Sequence, residues 1–379
     1  MKRIFCLLFA AALLITGVSA VEPLKDDAIS IAVPSAILME KTTGEILYEK
    51  NAHERLAPAS VTKVMTMLLI VEAIESGTLS TEDMVICSAN AASMGGSQVF
   101  LAEGEEMSVH DLLKSLVVSS GNDAAVALAE HIAGSEEAFV SRMNARAEEL
   151  GLENTHFTNC TGLFDSDDHY TSAHDMAVIS RELISHSMIR DYTTIWMDTI
   201  RDGTFGLANT NKLIYYYSGA TGLKTGFTDK AMYCLSATAE RDGVEYIAVV
   251  MHGETSAERF DSAKTLLNYA FSNYALVSLE TEELLPEIPV ALGTEETIRP
   301  ICKANETLLL PKAEAADIQY DVECAESVEA PVKAGQELGT VTVRSGDTVL
   351  AELPLIAETG VARLTTPQVF VNMLRSLCS

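Results

Sequence analysis

The sequence predicts a mixed α/β (α+β) domain over roughly the first 275 residues, then a small all-β domain at about residues 282–360. Three observations predict this. Strand-like patterns stand at both ends of the first stretch, with helix-like patterns between them. Composition shifts after Leu276, where the acidic, proline-bearing run "LETEELLPEIPVALG" begins. Beyond it, "ETLLLP", "GTVTVRS" and "TVLAELPLI" read as short strands separated by turns.

The elements follow in chain order. Residues 1–20 read as an export signal: "MKR" is a basic start, "IFCLLFAAALLI" an apolar core, and "VSA" ending at Ala20 a small-residue cleavage site. The apolar run is short for a spanning anchor, so cleavage is the preferred reading. The first domain then occupies residues 21–276. "PSAILMEKTTGEILYEKN" (Pro34–Asn51) predicts a hairpin turning at Thr43-Gly44. A helix starts near Ser60, and from Val64 to Val71 only Thr66 is polar. Residues 109–134 are helical, interrupted by "SSGND". "EEAFVSRMNARAEELGL" is a helix ended by Gly151, and "MAVISRELISH" a shorter one. "YCLSATAERDGVEYIAVVMHG" is two strands about an Asp-Gly turn, followed by the helix "SAERFDSAKTLLNYAF". The tail at 363–379 contains an amphipathic pattern with Val369, Phe370, Met373, Leu374 and Leu377 apolar. Arg375 is the one cation of that helix, so membrane-surface contact and simple packing both stay open.

Charge excludes one class of partner. The chain carries a formal −28, and loss of Lys2 and Arg3 with the signal removes two positive charges, to −30. Such a chain repels nucleic-acid phosphates. Six of the seven cysteines lie beyond the signal: Cys87, Cys160, Cys234, Cys302, Cys324 and Cys378. None forms a C-x-x-C pair. Cys302 and Cys324 are the pair able to form a disulfide within one small domain, with free thiols the alternative. The eight histidines are scattered and no His-Glu-x-x-His occurs, so neither a metal nor another cofactor is expected; "DSDDHY" reads as a polar loop.

Three short motifs carry candidate chemistry. Ser60 and Lys63, in "SVTK", stand three apart and share a helix face. Taken alone, Ser60 reads as a helix cap and Lys63 as a side chain reaching for solvent. In apolar surroundings, however, a lysine loses solvation and its pKa falls, and a neutral amine beside a hydroxyl activates a serine nucleophile. The second motif is a Ser-x-Asn, either Ser88–Asn90 or Ser120–Asn122. The latter is preferred because it interrupts a helical region: Ser120 is placed to relay a proton and Asn122 to hold a substrate amide, unless both merely cap the next helix. The third is "KTG", Lys224–Gly226, before a strand-like run. There Lys224 supplies charge, Thr225 a hydroxyl for a carboxylate, and Gly226 room for a substrate backbone at an edge strand; a solvated loop is the alternative.

Each motif is weak alone, but their order is specific. Ser-x-x-Lys, Ser-x-Asn and Lys-Thr-Gly in sequence mark penicillin-binding proteins and class A β-lactamases, with SGN here in place of SDN. Together with "LAPASVTKVMT", "GGSQVFL", "DLLKSLVVSSGNDAAVALAEHIAG", "MNARAEELGLENTHFTN", "GLKTGFT", "ERF" and "APVKAGQELGTVTV", they make the chain resemble the low-molecular-mass penicillin-binding proteins. More closely, it resembles the D-alanyl-D-alanine carboxypeptidases of the S11 peptidase type. That resemblance implies a catalytic domain with a central antiparallel sheet flanked by helices, plus a β-rich stalk. It implies a nucleophile at Ser60, its base at Lys63, and a proton relay at Ser120. Asn122 would hold the acyl-side peptide, Lys224, Thr225 and Gly226 would line the opposite wall, and Arg259 would meet the terminal carboxylate. Backbone N–H groups of Ser60 and Phe227 would form the oxyanion hole. The implied partners are peptidoglycan stem peptides ending in D-Ala-D-Ala, with β-lactam antibiotics as covalent inhibitors. The implied location is extracytoplasmic, in the cell envelope.

Two alternatives share the motifs. A class A β-lactamase needs a glutamate to activate the deacylating water, and "TGLFDSDDHYTS" (Thr161–Ser172) has none. A non-catalytic penicillin-binding scaffold would be expected to lack one of the catalytic residues, and none is missing.

Overall fold

The computed structural model describes residues 29–279, 285–302 and 307–377. The expected signal at 1–20 and Cys378 lie outside the described residues. The chain divides into two compact units between Tyr274 and Ala275.

In the first unit, the "PSAILMEK" and "EILYEK" runs form strands β1 (Ser35–Glu40) and β2 (Ile46–Lys50), paired antiparallel. The turn between them is closed by Glu40, whose carboxylate accepts from the Thr42 and Thr43 N–H groups. A 3-10 turn at Ala59–Thr62 leads into α1 (Lys63–Glu75). After it come α2 (Val109–Val118), α3 (Asn122–Ala133), α4 (Glu136–Glu149) and α5 (Ala173–Ser185). The chain then returns to the sheet as β3 (Ala220–Thr228), β4 (Met232–Arg241) and β5 (Val244–Gly253), and the unit's last helix is α6 (Ser256–Asn273). Asp242 and Gly243, both at positive φ, make the tight turn between β4 and β5.

The sheet order is β2–β1–β5–β4–β3, antiparallel throughout. This is the central antiparallel sheet with helices that the resemblance implies. Strand side chains alternate between faces. Ile37, Met39, Ile247, Val249 and Met251 join the helical core with α1, α2, α3 and α5. The alternate residues Ala36, Leu38, Ala248 and Val250 are buried as well, and α6 packs against β4 and β5. A helix enclosed on every side explains why α1 is apolar all round. Its one polar interruption, Thr66, gives its hydroxyl to the Cys160 carbonyl at 2.7 Å.

The second unit is mainly β. Four antiparallel strands stand in the order β6 (Pro300–Cys302), β9 (Thr348–Ala357), β8 (Glu337–Ser345), β7 (Ile318–Cys324). A smaller group pairs Ile288–Ala291 with Thr297–Ile298 and with Val328–Glu329. The expected tail helix is α7 (Thr366–Leu377).

The Cys302–Cys324 disulfide does not form; both thiols are free. The register gives the reason. Cys302 pairs with Leu355, Leu355 with Gly339, and Gly339 with Cys324. The two cysteines are therefore three strand spacings apart, about 14 Å, where a disulfide tolerates less than about 7 Å between Cα atoms. Alkylation of the unreduced, unfolded protein is expected to label both residues in full. A linked Cys302–Cys324 peptide in the mass spectrum would overturn this register.

Candidate active site

The site is organised by the turn that carries Ser60. Ser60 does not cap α1. The N-cap is Thr62, with no side-chain cap bond, and Ser60 already lies inside the 3-10 turn. Its hydroxyl oxygen stands 3.0 Å from Lys63 Nζ. The capping reading fails because the turn aims this side chain at Lys63 rather than at a free backbone N–H.

Lys63 does not reach solvent; it is 0% exposed. Nζ donates to Asn122 Oδ1 at 2.6 Å and to the Thr161 carbonyl at 2.9 Å. Neither of those oxygens can donate in return. Two N–H bonds of the amine are thus assigned, and its remaining tetrahedral position faces Ser60. Burial pulls the Lys63 pKa from 10.5 down to about 7, against the opposing charge of Asp123. Cys160 adds no charge at neutral pH, since burial raises its own thiol well above the usual range. A neutral Lys63 presents its lone pair to the Ser60 hydroxyl, which is the geometry of a general base.

The break between α2 and α3 brings in Asn122. Ser120 takes φ +62 and Gly121 is the N-cap of α3, with no side-chain cap bond. Neither Ser120 nor Asn122 caps the helix. The Ser120 side chain is buried, and its hydroxyl bonds no described residue. Asn122 gives its Nδ2 to the Gly95 carbonyl at 2.7 Å and its backbone N–H to Ser97. The amide expected to hold substrate is thus already held by Lys63 and Gly95, with one N–H to spare. Ser88, the other Ser-x-Asn candidate, caps a short helix and bonds Glu130, as does Asn90.

The loop that supplies the Thr161 carbonyl was not singled out from the sequence. Asn159 Oδ1 accepts from the N–H groups of Thr161 and Gly162, which folds the loop so that the Thr161 carbonyl meets Lys63. Gly162, at φ +71, lies against the Ser60 turn so closely that a Cβ would sit 1.7 Å from the Ala59 carbonyl oxygen. The turn-forming residues of "TNCTGL" were the available signal. His169 locks the same loop: its Nδ1 accepts from Thr158 N–H and its Nε2 meets the Thr62 hydroxyl at 2.8 Å. Burial lowers its pKa to about 4, so it stays neutral. In the polar stretch before it, Asp165 bonds Thr228 and Asp167 pairs with Lys230.

Lys224, Thr225, Gly226 and Phe227 lie on β3, the edge strand. Gly226 does provide a close approach, but to the nucleophile turn: a Cβ there would meet Pro58 O at 2.8 Å and Val61 N at 3.0 Å. Lys224 is fully buried and Nζ donates to the Thr225 carbonyl at 3.2 Å. Its pKa is pushed well down by burial, then by the charges of Lys63 and Arg259. The Thr225 hydroxyl bonds Thr210. Phe227 is half exposed, its ring against Tyr233. Arg259 is buried beside the strand. Its Nη1 donates to the Gly226 carbonyl at 3.0 Å, its Nε is buried without a partner, and its guanidinium lies by the Tyr233 and Phe260 rings. Three basic groups therefore gather in a chain of −28 net charge, while the Asp123 carboxylate is tied to the Val99, Leu101 and Ala124 N–H groups. The site favours an anion.

Comparison with known proteins gives the family. Residues 20–255 match the model of the family described as D-alanyl-D-alanine carboxypeptidase. The chain belongs to that family. Residues 278–363 match a second family, the penicillin-binding protein 5 C-terminal domain. Among family members, D-alanyl-D-alanine carboxypeptidase DacF of Bacillus subtilis is 42% identical over 367 residues, covering 94% of each chain. Penicillin binding protein 5 from Haemophilus influenzae superposes with a TM-score of 0.78 at 30% identity, covering 88% of this chain and 98% of that one. Penicillin binding protein 6B from Escherichia coli superposes at 0.73 with 33% identity, covering 86% and 96%.

The grip on the Ser60 turn is testable in this carboxypeptidase family member. Gly226→Ala is expected to push the turn off β3, lowering stability by about 1–3 kcal/mol and acylation with it. Chemical denaturation and a penicillin-labelling rate check this; an unchanged pair would show that the strand does not position Ser60.

Proposed function

We propose that this chain is a serine D-alanyl-D-alanine carboxypeptidase, removing the terminal D-alanine from peptidoglycan stem peptides through an acyl-enzyme on Ser60. The observation that carries the reading is the buried Lys63, with two N–H bonds fixed by Asn122 and Thr161 and its third position on Ser60 Oγ. Neutral Lys63 takes the Ser60 proton as the oxygen attacks the carbonyl between the two D-alanines. The tetrahedral oxyanion is met by backbone N–H groups of Ser60 and Phe227. The proton passes through Ser120, whose hydroxyl is free for a substrate nitrogen, to the departing D-alanine. Water then releases the shortened peptide from Ser60. The terminal carboxylate is drawn by Lys224, Thr225 and Arg259. Penicillins would acylate the same oxygen. A β-lactamase reading lacks support: Asp123, the carboxylate whose charge Lys63 feels, is committed to backbone N–H groups.

We further propose export by residues 1–20, action in the cell envelope, and peripheral membrane contact through α7, where Phe370, Met373 and Leu374 are exposed. No helix among the described residues is long and apolar enough to cross a membrane. A mature chain starting elsewhere than Val21 would count against the first. Liposome binding unchanged by removal of residues 364–379 would count against the last.

Two measurements test the chemistry. Ser60→Ala is expected to lower D-alanine release from a D-Ala-D-Ala peptide by more than about a thousandfold and to abolish penicillin labelling; undiminished release would sink the assignment. For Lys63 the sign follows from its role. The base works unprotonated, so the acylation rate is expected to fall as pH drops through about 7. Lys63→Arg, which stays charged, should lose activity by on the order of a hundred- to ten-thousandfold. A flat profile between pH 5 and 9 would remove Lys63 as the base.

A further inference from the structure

The segment "GGSQVFL", Gly95–Leu101, has so far supplied only backbone groups to the site, and its aromatic residue has no assigned part. Phe100 adopts φ +57, a conformation that bulky side chains rarely take. Its side chain is 71% exposed, while Val99 and Leu101 on either side are buried. The backbone is held on both sides. The Asp123 carboxylate accepts from Val99 N–H at 3.0 Å and Leu101 N–H at 3.1 Å. Arg201 donates to the Val99 carbonyl at 2.8 Å and the Phe100 carbonyl at 3.3 Å. Asp123 directly follows Asn122, whose backbone N–H is given to Ser97 and whose Nδ2 is given to Gly95. The loop and Asn122 are therefore one hydrogen-bonded unit.

Holding a phenylalanine in this conformation costs folding free energy, and an exposed ring returns little of it through packing. Among the described residues its ring meets one other aromatic ring, Phe205, edge-on at 6.3 Å. The nearby guanidinium of Arg201 lies over Phe205 and is paired with Glu105. An exposed apolar ring suits methylene groups rather than a charged terminus.

We propose that Phe100 determines substrate specificity, its ring contacting the methylene chain of a long side chain on the residue that precedes the two D-alanines. This rests on the carboxypeptidase reading, in which Asn122 adjoins the acyl side of the peptide. The occupant is a stretch of aliphatic side chain; an aromatic acyl substituent of a penicillin would meet the same ring.

The test compares wild type with Phe100→Gly and Phe100→Asn, two residues that accept positive φ. The substrates are diacetyl-L-lysyl-D-alanyl-D-alanine and acetyl-glycyl-D-alanyl-D-alanine. The ratio of kcat/KM between the lysyl and glycyl peptides is expected to fall about tenfold in both variants, mainly through KM of the lysyl peptide. Tm should not fall, and in Phe100→Gly it should rise, because strain is relieved. A residue kept for packing would do the reverse: a lower Tm with an unchanged ratio. Release of D-alanine with an unchanged ratio in both variants overturns the role of Phe100 and leaves the carboxypeptidase reading standing. No release from either peptide by wild type sinks both.

Discussion

Everything at this site follows from hiding one amine from water. An ammonium group buried without partners would be prohibitive, so the chain must either neutralise Lys63 or surround it with oxygen acceptors. It does both in part: two acceptors are supplied by segments far apart in sequence, Asn122 and Thr161, and the pKa falls to about 7. The solvation lost by the amine is what leaves its lone pair unprotonated and available to Ser60 at neutral pH. The break after α2, the Asn159-centred loop and the apolar α1 all serve that placement.

The electrostatics run against the character of the whole molecule. The chain is strongly acidic, yet Lys224 is buried where burial, then the charges of Lys63 and Arg259, disfavour its own charge. The Asp123 carboxylate is occupied with backbone N–H groups of the Phe100 loop. An entering carboxylate would favour the charged form of Lys224, so that substrate binding and protonation of that amine are coupled.

Much of this was legible in the sequence, for physical reasons. The turn signals Thr43-Gly44 and Asp242-Gly243 announced the β1–β2 and β4–β5 hairpins, and the apolar run Val64–Val71 announced an enclosed helix. Ordered short motifs drew attention to Ser60, Lys63, Ser120, Asn122 and Lys224. The partners were harder to see. The Thr161 ligand of Lys63 is a backbone carbonyl, which every residue has, so no residue type advertises it. The contact of Gly226 with the Ser60 turn could not be read from the sequence, because that turn lies more than 160 residues away in the chain. For Arg259 the resemblance implied a carboxylate partner, and the structure adds a bond from one nitrogen to the Gly226 carbonyl. The disulfide expectation rested on proximity in sequence, and strand order separates the two thiols.

The nucleophile turn is clasped between two glycines, Gly226 on the edge strand and Gly162 on the Asn159 loop, each lying chiefly against its main chain. The seat of Ser60 is therefore set like the gap of a caliper, largely by main-chain thickness, which leaves it little room to shift. On the proposed reading, adaptation to a different acyl donor, whether a new cell-wall peptide or a bulkier antibiotic, would come more easily through exposed rings such as Phe100 and Phe227. Tolerance of drugs and choice of substrate would then drift together, because both would meet the same rings.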